Sequence, residues 1–312
     1  MPNYSGVWDL RQQGVAVQGN LWREPPQRAV FAGGVYNAYD IMDYVDITST
    51  GNATDFGDLT SPRGHCAGCA SATRGITGGG LTTDVATTGQ DFIDYITIAT
   101  TGNGTDFGNL TQARNGLASC NSSTRGIFLG GRTGTGTSAQ NTIDYITIAS
   151  TGDATDFGDN NNTVMFVSGT SSSTRGVFGG DYDGLDIISY ITIGSTGDAT
   201  DFGNLSVGRH GTGAFSNGTR GVFGGGTNVI DYITIASTGN ATDFGDLTSA
   251  RIDSAGASSS TRGIFAGGGT SPRLDIMDYV TIASTGNATD FGDLTQARNA
   301  LSGMSASNGG IS

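Results

Sequence analysis

Lysine is absent from this sequence and Glu24 is its single glutamate, so nearly all of its charge comes from arginine and aspartate. The 28 acidic residues outnumber the 15 basic ones and give a formal net charge of −13. Nucleic-acid binding relies on clustered lysine and arginine to neutralise phosphates. We therefore expect no nucleic-acid partner. Because the aspartates recur at fixed places in a repeat, we expect most of them to serve the scaffold.

Cysteine and long apolar runs are scarce as well. Three cysteines argue against a disulfide framework, and no apolar run approaches the ~18 residues of a transmembrane helix. The segment "MPNYSGVWDLRQQGVAV" lacks the basic start and apolar core of a secretory signal peptide. The sequence thus predicts that the protein is made in a cytoplasm and does not insert into a membrane.

Proline is rare too, with 5 residues against 53 glycines, but the glycines fall at fixed positions of a repeat. The phrase "DYITIASTGNATDFGDLT" at residues 231–248 returns almost unchanged at 278–295, and four looser copies precede it. Fixed internal distances identify a structural repeat. Twelve residues separate a tyrosine from a phenylalanine in all six copies: Tyr44 and Phe56, Tyr95 and Phe107, Tyr145 and Phe157, Tyr190 and Phe202, Tyr232 and Phe244, Tyr279 and Phe291.

Two arginines complete the repeat. The first follows each phenylalanine by seven residues, except that valine replaces it once: Arg63, Arg114, Val164, Arg209, Arg251 and Arg298. The second opens a "RGIF" phrase that ends in glycines: Arg28, Arg74, Arg125, Arg175, Arg220 and Arg262. Each repeat therefore predicts four short strands, which we label a (after the first arginine), b ("RGIF"), c ("DYITIA") and d ("TDFGDL").

The length of the repeat indicates a propeller blade. Successive phenylalanines are 42 to 51 residues apart, which is typical of a four-stranded blade. The first copy begins at strand b and the last ends after strand a. We predict an all-β protein with a six-bladed β-propeller over residues 28–312, four antiparallel strands per blade, in which residues 298–306 pair with 28–34 to close the ring. Small residues on strand a should line the crowded centre, and the repeated phenylalanines should be buried between blades.

Sequence motifs for chemistry are weak. His65 and His210 occupy different repeat positions and no third ligand accompanies them, which favours loop histidines over a metal pair. "HCAGC" at 65–69 has no second CxxC, and a strand would point Cys66 and Cys69 to opposite faces. The aspartates of "DATDFGD" at 153–159 have a spacing that could hold calcium, although turn capping or pairing with arginine explains them equally. We predict no catalytic residues, no enzyme, no metal site and no cofactor, with calcium as the open alternative.

Length variation points to a binding surface. It is confined to the connection between strands b and c, which leaves the same end of a blade as the d–a connection. Variable loops on a rigid scaffold are typical of recognition sites, although drift without selection would also vary them. The candidate binding residues in these loops are Tyr36, Tyr39, Arg132, Tyr182, Asn228 and Arg273.

The segment 1–27 stands outside the repeats and carries both tryptophans, Trp8 and Trp22. Large aromatic side chains favour burial. We expect this leader to act as an anchor that docks into another subunit, with packing over one edge of the propeller as the alternative.

Together, the "AR" before strand a, the Gly-Gly that ends strand b, the tyrosine of strand c and the aromatic of strand d resemble kelch-type propellers over residues 28–306. The strand d aromatic of that family is usually tryptophan, and here it is phenylalanine. The phrase "DYITIASTGNATDFGDL" with the leader "YSGVWDLRQQGVAVQGNLW" also resembles predicted virion and tail proteins of tailed, notably marine, phages.

This second resemblance implies a non-catalytic virion protein, made in the host cytoplasm, such as a tail fibre or other surface component. It would bind a host-surface glycan or receptor through the propeller and other virion proteins through the leader. The alternatives are a structural decoration or tail-assembly module without a host ligand, and a glycan-active enzyme.

Overall fold

A computed structural model describes residues 27–35, 39–82, 89–134, 138–269 and 271–305. These residues form 24 β-strands arranged in six sheets of four. The described part of the chain contains no helix, and hence none long and apolar enough to cross a membrane.

Each sheet is one blade, and its strands follow the order a-b-c-d from the centre outward. The a strands of blades 1 to 6 are β24 (Ser302–Ser305), β4 (Ala67–Ala70), β8 (Ala118–Asn121), β12 (Ser168–Ser171), β16 (Thr212–Ser216) and β20 (Ala255–Ser258). The b strands are β1 (Arg28–Ala32), β5 (Arg74–Gly78), β9 (Arg125–Leu129), β13 (Arg175–Gly179), β17 (Arg220–Gly225) and β21 (Arg262–Ala266). The c strands are β2 (Ile41–Asp46), β6 (Gln90–Thr97), β10 (Gln140–Thr147), β14 (Ile187–Thr192), β18 (Val229–Thr234) and β22 (Ile276–Thr281). The d strands are β3 (Thr54–Asp58), β7 (Thr105–Arg114), β11 (Thr155–Val164), β15 (Thr200–Asn204), β19 (Thr242–Asp246) and β23 (Thr289–Asp293).

The predicted closure of the ring is confirmed. Strand β24 pairs antiparallel with β1, with Met304 opposite Val30 and Gly303 opposite Phe31. Blade 1 therefore takes its innermost strand from the end of the chain and its other three from the beginning. Without β24, the strand β1 would be left without a partner on its inner side, and an unpaired strand of this kind invites aggregation.

Apolar side chains fill the six seams between neighbouring blades, with one buried cluster at each seam. The six repeated phenylalanines are each 2% exposed, as predicted. Each meets the tyrosine of its own strand c edge to face, with ring centroids 5.9 to 6.2 Å apart. At the centre, a Cβ on Gly303 would lie 2.2 Å from the carbonyl oxygen of Gly256. The small residues of strand a thus let the blades converge.

The arginine that opens each b strand links its blade to the next. Its guanidinium lies 4.2 to 4.5 Å from the centroid of the strand c tyrosine of its own blade. Its Nη1 donates a hydrogen bond of 2.8 to 3.2 Å to a backbone carbonyl in the following blade. The accepting carbonyls belong to Ile98, Ile148, Ile193, Ile235, Ile282 and Ile47, so the links run around the complete ring.

We expect Arg220→Met to lower the free energy of unfolding by about 1–2 kcal/mol, measured by urea denaturation. The variant keeps an apolar stem but loses the hydrogen bond to Ile282 and the stacking on Tyr232. Arg220→Lys is the matched control and should recover little of the loss, because a compact ammonium cannot stack and donate as a planar guanidinium does. A methionine variant as stable as the unmodified protein would show that this link contributes nothing.

The other arginine of each repeat forms a buried ion pair with the aspartate that precedes the strand c tyrosine. The five pairs are Arg63 with Asp94, Arg114 with Asp144, Arg209 with Asp231, Arg251 with Asp278, and Arg298 with Asp43. In each pair a threonine or serine hydroxyl donates to the same carboxylate: Thr60, Thr111, Ser206, Thr248 and Thr295. The side chains are at most 2% exposed, so each charge depends on its partner for compensation.

Blade 4 has no such pair. Val164 stands in the place of the arginine and Ser189 in the place of the aspartate. Asn160, a position that holds leucine in the other repeats, is 4% exposed and its Oδ1 has no hydrogen-bond partner. A cavity of about 10 Å³ lies among these three side chains. One blade has therefore lost both charges together.

Candidate functional site

The variable b–c loops and the d–a connections share one end of the propeller, which we call the loop face. Gly64 of a d–a connection bridges to Leu81 of a b–c loop, and Asn115 bridges to Arg132 in the same way. The a–b and c–d turns meet at the opposite end, where Ile98 N–H donates to the Thr73 carbonyl. The b–c and d–a connections thus lie at the same end of the propeller, as predicted.

Six residues close a hydrogen-bonded ring around the propeller axis at the loop face. In each d–a connection, the residue two positions after the first arginine donates its backbone N–H to the carbonyl of its counterpart in the preceding connection, over 2.6 to 2.9 Å. All six have φ between 54° and 64°. They form what we call the mouth ring: His65, Gly116, Phe166, Gly211, Asp253 and Ala300.

Four members of the mouth ring are not glycine, although L-residues rarely adopt this left-handed conformation. The bulky side chain of Phe166 makes that position the most strained of the four. Backbone strain of this kind persists where the surrounding structure enforces it and is concentrated at functional sites. The mouth ring is therefore the first indication of where a site lies.

A row of ring side chains crosses the loop face beside the axis. The centroids of His65 and Phe166 are 5.0 Å apart, those of Phe166 and Tyr182 are 5.5 Å apart, and those of Tyr182 and His210 are 5.1 Å apart. The guanidinium of Arg132 lies 5.0 Å from the Phe166 centroid, and its Nε donates to Asn115 Oδ1. We call these five residues the aromatic row.

The aromatic row borders a patch of exposed apolar side chains. Tyr182 is 45% exposed, Leu185 is 47% exposed and Val207 is 39% exposed. The connection that carries Val207 packs against the loop that carries Leu185. The approach is so close that a Cβ on Gly208 would lie 1.8 Å from the carbonyl oxygen of Gly184. Large exposed apolar groups gathered in one place are typical of binding surfaces.

The electrostatics at the loop face leave both histidines neutral. Burial lowers the pKa of His65 to about 4, and the nearby charge of Arg132 adds to that effect. Burial also lowers the pKa of His210, while Asp181 opposes the change. At Asp253, burial raises the carboxyl pKa to about 6. At pH 7 the site thus presents neutral imidazoles, an arginine cation and an ionised Asp253.

We expect Asp253→Asn to raise the free energy of unfolding at pH 7 by about 1–2 kcal/mol, less than the full pKa shift implies because the side chain keeps some contact with solvent. A carboxyl whose folded pKa is about 6, against an ordinary 3.8, binds more protons in the native state between those values. Its contribution to stability therefore falls as the pH rises through that window, and asparagine removes this loss.

The contribution of His65 to stability depends on pH in the opposite direction. Its native pKa of about 4 lies below the ordinary 6.5, so its contribution is complete above pH ~6.5 and is lost as the pH falls toward ~4. The Asp253→Asn variant should therefore lose stability on acidification more steeply than the unmodified protein, in urea denaturation between pH ~4 and ~8. Asp183→Asn, at an exposed position, is the control. Superimposable profiles for all three proteins would contradict the assignment.

The predicted binding residues divide into three groups. Arg132 and Tyr182 are brought together in the aromatic row. Tyr39, Asn228 and Arg273 lie in the b–c loops of blades 1, 5 and 6, where Tyr39 Oη accepts a 3.3 Å hydrogen bond from Gln296 and the Asn228 carbonyl accepts one from Leu247. Tyr36 and the anchor residues Trp8 and Trp22 lie outside the described residues.

The sequence reasoning missed Phe166 and Asp253, and it set His65 and His210 aside as loop histidines. A signal was present at Phe166, because "VMF" at 164–166 interrupts the polar text that the other repeats carry there. The two histidines do not pair with each other in the structure. They contact Phe166 and Tyr182 respectively, at opposite ends of the row.

Metal-binding clusters are absent from the described part of the chain, where no three His, Cys, Asp or Glu side chains are placed to hold an ion. Asp153 Oδ1 accepts a 2.9 Å hydrogen bond from the Asn109 backbone of the preceding blade, and Asn52 and Asn240 make the same contact in their own turns. Charge is therefore not required at this position. Calcium stays the open alternative that the sequence offers.

The three cysteines are free and buried. Burial raises the pKa of Cys69 to about 12, and it raises the pKa values of Cys66 and Cys120 as well. These thiols are therefore protonated at neutral pH and poorly nucleophilic. Cys69 and Cys120 pack in two of the buried clusters between blades.

Compared with known proteins, the chain matches no family model and no curated protein sequence. The fold is a six-bladed β-propeller, which is an architecture compatible with protein binding.

Proposed function

We propose that this protein is a non-catalytic binding protein that recognises its ligand through the aromatic row on the loop face. The observation that carries the proposal is the gathering of non-repeating side chains at one place. Arg132, Phe166 and Tyr182 come from two neighbouring blades, and Phe166 is the one phenylalanine among the six members of the mouth ring. A rigid scaffold that holds such side chains together is typical of a recognition site.

Departures from the repeat are concentrated at the same place. Blade 4 lacks the buried ion pair, having Val164 and Ser189 instead, and its connection supplies the strained Phe166. A ring of like blades gains nothing in packing from making one seam different. Local rules of folding are broken most often where function requires it, so these departures support a site at blade 4.

The arginines divide into those of the repeated scaffold and those outside it. Among the described residues, eleven arginines belong to the repeated pairs and links of the scaffold. Arg132 and Arg273 are the two that do not. Arg132 lies in the aromatic row, where its planar guanidinium can stack and donate hydrogen bonds at once. This placement favours a role in recognition.

More specifically, we propose a kelch-like repeat protein of a tailed-phage virion, such as a tail fibre component, made in the host cytoplasm. The support is the resemblance of the repeat phrase and of residues 4–22 to predicted phage proteins. The loop face would bind a host-surface glycan or receptor. The leader, through Trp8 and Trp22, would bind other virion proteins.

A structural decoration or tail-assembly module is the second candidate. It is favoured by the uniformity of the scaffold, in which every b-strand arginine makes the same link to the next blade. Such a module needs rigidity and no ligand. Binding through the aromatic row separates the two candidates.

The test is binding of the full-length protein to immobilised bacterial surface fractions: lipopolysaccharide, capsular polysaccharide and outer-membrane protein. Tyr182→Ala should weaken binding to the recognised fraction at least tenfold, since an exposed aromatic at the centre of a site dominates affinity. Phe92→Ala is the matched control, because Phe92 is 39% exposed but lies outside the aromatic row. Binding that Tyr182→Ala leaves unchanged would contradict the proposal, and an absence of binding to every fraction would favour the structural module.

A further inference from the structure

An axial channel opens at the mouth ring, next to the aromatic row. Its outer cavity of about 70 Å³ is lined by the mouth ring, including His65, Phe166 and Asp253. An inner cavity of about 90 Å³ continues along the strand a residues. The two cavities share one ring of wall residues: Cys66, Leu117, Val167, Thr212, Ser254 and Leu301. His65 and Phe166 thus belong both to the row and to the rim of the channel.

A buried hydroxyl in the channel wall has no partner. Ser254 is 5% exposed, it lines both cavities, and its Oγ makes no hydrogen bond. By contrast, the hydroxyls of Ser168 and Thr212 in the same wall lie 2.7 Å apart and bond to each other. Buried polar atoms in native proteins are almost always paired with protein, water or a ligand. Ser254 Oγ can therefore form a hydrogen bond with a group that enters the channel.

The carboxyl group of Asp253 also lies at the rim, where burial raises its pKa to about 6. Asp253 and Ser254 are adjacent in the sequence and line the outer cavity together. They provide one strong acceptor and one hydroxyl that can donate or accept. A hydroxyl-bearing group is the ligand chemistry that both would satisfy.

The charges around the site argue against a ligand of strong single charge. The cation of Arg132 lies beside Phe166, whereas the carboxylate of Asp181 lies near His210 and that of Asp253 lies at the channel rim. A strongly anionic or cationic ligand would meet a like charge somewhere in this set. A neutral polyol meets none, and its hydroxyls can donate to carboxylates and accept from a guanidinium.

The exposed ring of Tyr182 supplies the remaining requirement. Its ring contacts those of Phe166 and His210, and 45% of the residue is open to solvent. An exposed, fixed aromatic face offers apolar contact at little cost in side-chain entropy. A pyranose has one apolar C–H face that matches such a ring and a hydroxyl-rich edge that matches the channel rim.

From this arrangement we infer that the loop face binds the end of a neutral saccharide, with a sugar ring on Tyr182 and a hydroxyl-bearing substituent in the channel mouth, hydrogen-bonded to Asp253 and Ser254. This inference rests on the proposed binding function and adds the ligand class and a specificity subsite. Recognition at the mouth selects which substituent is accepted, whereas the aromatic row supplies most of the affinity.

The test is binding of the full-length protein to an immobilised panel of neutral oligosaccharides built from glucose, galactose, mannose and N-acetylglucosamine, with polygalacturonate and chitosan as anionic and cationic probes. We expect binding to one neutral probe above the charged ones. Asp253→Asn and Ser254→Ala should each weaken that binding about three- to tenfold, as expected for loss of one hydrogen bond. Each should also change the ranking among neutral sugars.

Controls and contrary outcomes keep the inference separate from the proposed function. Ser249→Ala removes another buried hydroxyl that has no partner and lies outside the channel walls, and it should leave binding unchanged. Preference for a charged probe overturns the ligand class. Saccharide binding that needs Tyr182 but ignores Asp253 and Ser254 overturns the mouth subsite. Binding of surface protein alone, lost in Tyr182→Ala, overturns the saccharide inference while sustaining the binding function.

Discussion

Deletion of residues 298–312 should abolish cooperative unfolding and cause aggregation. The deletion removes β24, which is the inner strand of blade 1, and leaves β1 with a free edge. It also removes Arg298, which pairs with the buried Asp43, and Met304, which packs in the seam between blades 1 and 2. An exposed strand edge together with an uncompensated buried carboxylate destabilises a ring far more than the loss of one surface strand would.

A chain that ends at Ser305 is the matched control, because it keeps β24 and Arg298. We expect this chain and the full-length protein each to unfold in one transition when followed by circular dichroism and by light scattering during heating. If the longer deletion also unfolds in one transition at the same temperature and stays monomeric, the terminal strand does not close the ring in solution.

The architecture was predictable because closure and spacing are properties of the whole repeat. A constant interval between a tyrosine and a phenylalanine fixes where each blade turns. The first copy lacks strand a, and the end of the chain supplies a strand a without the other three. These parts form a complete blade only if the two ends join. Local errors in strand boundaries do not disturb such an argument.

The buried ion pairs were not predicted, although the sequence contains their signal. The repeat that has Val164 in place of arginine is followed by the strand c that has serine, Ser189, in place of aspartate. The coincidence of two exceptions in one blade indicates that the two positions meet in the others. The aspartates were assigned to the scaffold, but their partners were not identified.

The mouth ring had no signal of that kind. Its members share a backbone conformation and a hydrogen-bonding role, yet they include histidine, glycine, phenylalanine, aspartate and alanine. Backbone groups impose this ring, so the side chains are free to vary. Side chains that packing leaves free are those that binding can use, so residues of the proposed site need carry no repeat pattern.

Replacement of a single member of a buried ion pair should be among the most damaging point substitutions. In blade 5, Arg209 Nη2 lies 2.8 Å from Asp231 Oδ2, and Ser206 donates to Asp231 Oδ1 over 2.6 Å. Burial lowers the pKa of Arg209, while Asp231 raises it. Each charge is thus tolerated because the other is present. Arg209→Val and Asp231→Ser should each lower the free energy of unfolding by about 3–5 kcal/mol, since each leaves an uncompensated buried charge.

The double variant Arg209→Val with Asp231→Ser introduces the pair of residues that blade 4 uses, Val164 and Ser189. We expect it to be more stable than either single variant, with a residual loss of about 1–3 kcal/mol from the space that the guanidinium leaves. Blade 4 itself tolerates a cavity of about 10 Å³ at this point. A coupling energy near the size of the single losses would show that the two charges are retained for each other.

Urea denaturation of the four proteins of this cycle provides the measurement, with the Arg220→Met and Arg220→Lys variants as a reference for the loss of a partly exposed arginine in the same blade. If the two losses simply add, Arg209 and Asp231 contribute to stability independently, and the joint substitution in blade 4 has no energetic basis. If the double variant recovers most of the loss, an ion pair and a Val–Ser pair are alternative solutions for the same seam. Blade 4 could then give up both charges at little cost in stability while its connection carried Phe166 and its loop carried Tyr182, the two aromatic side chains of the proposed binding surface.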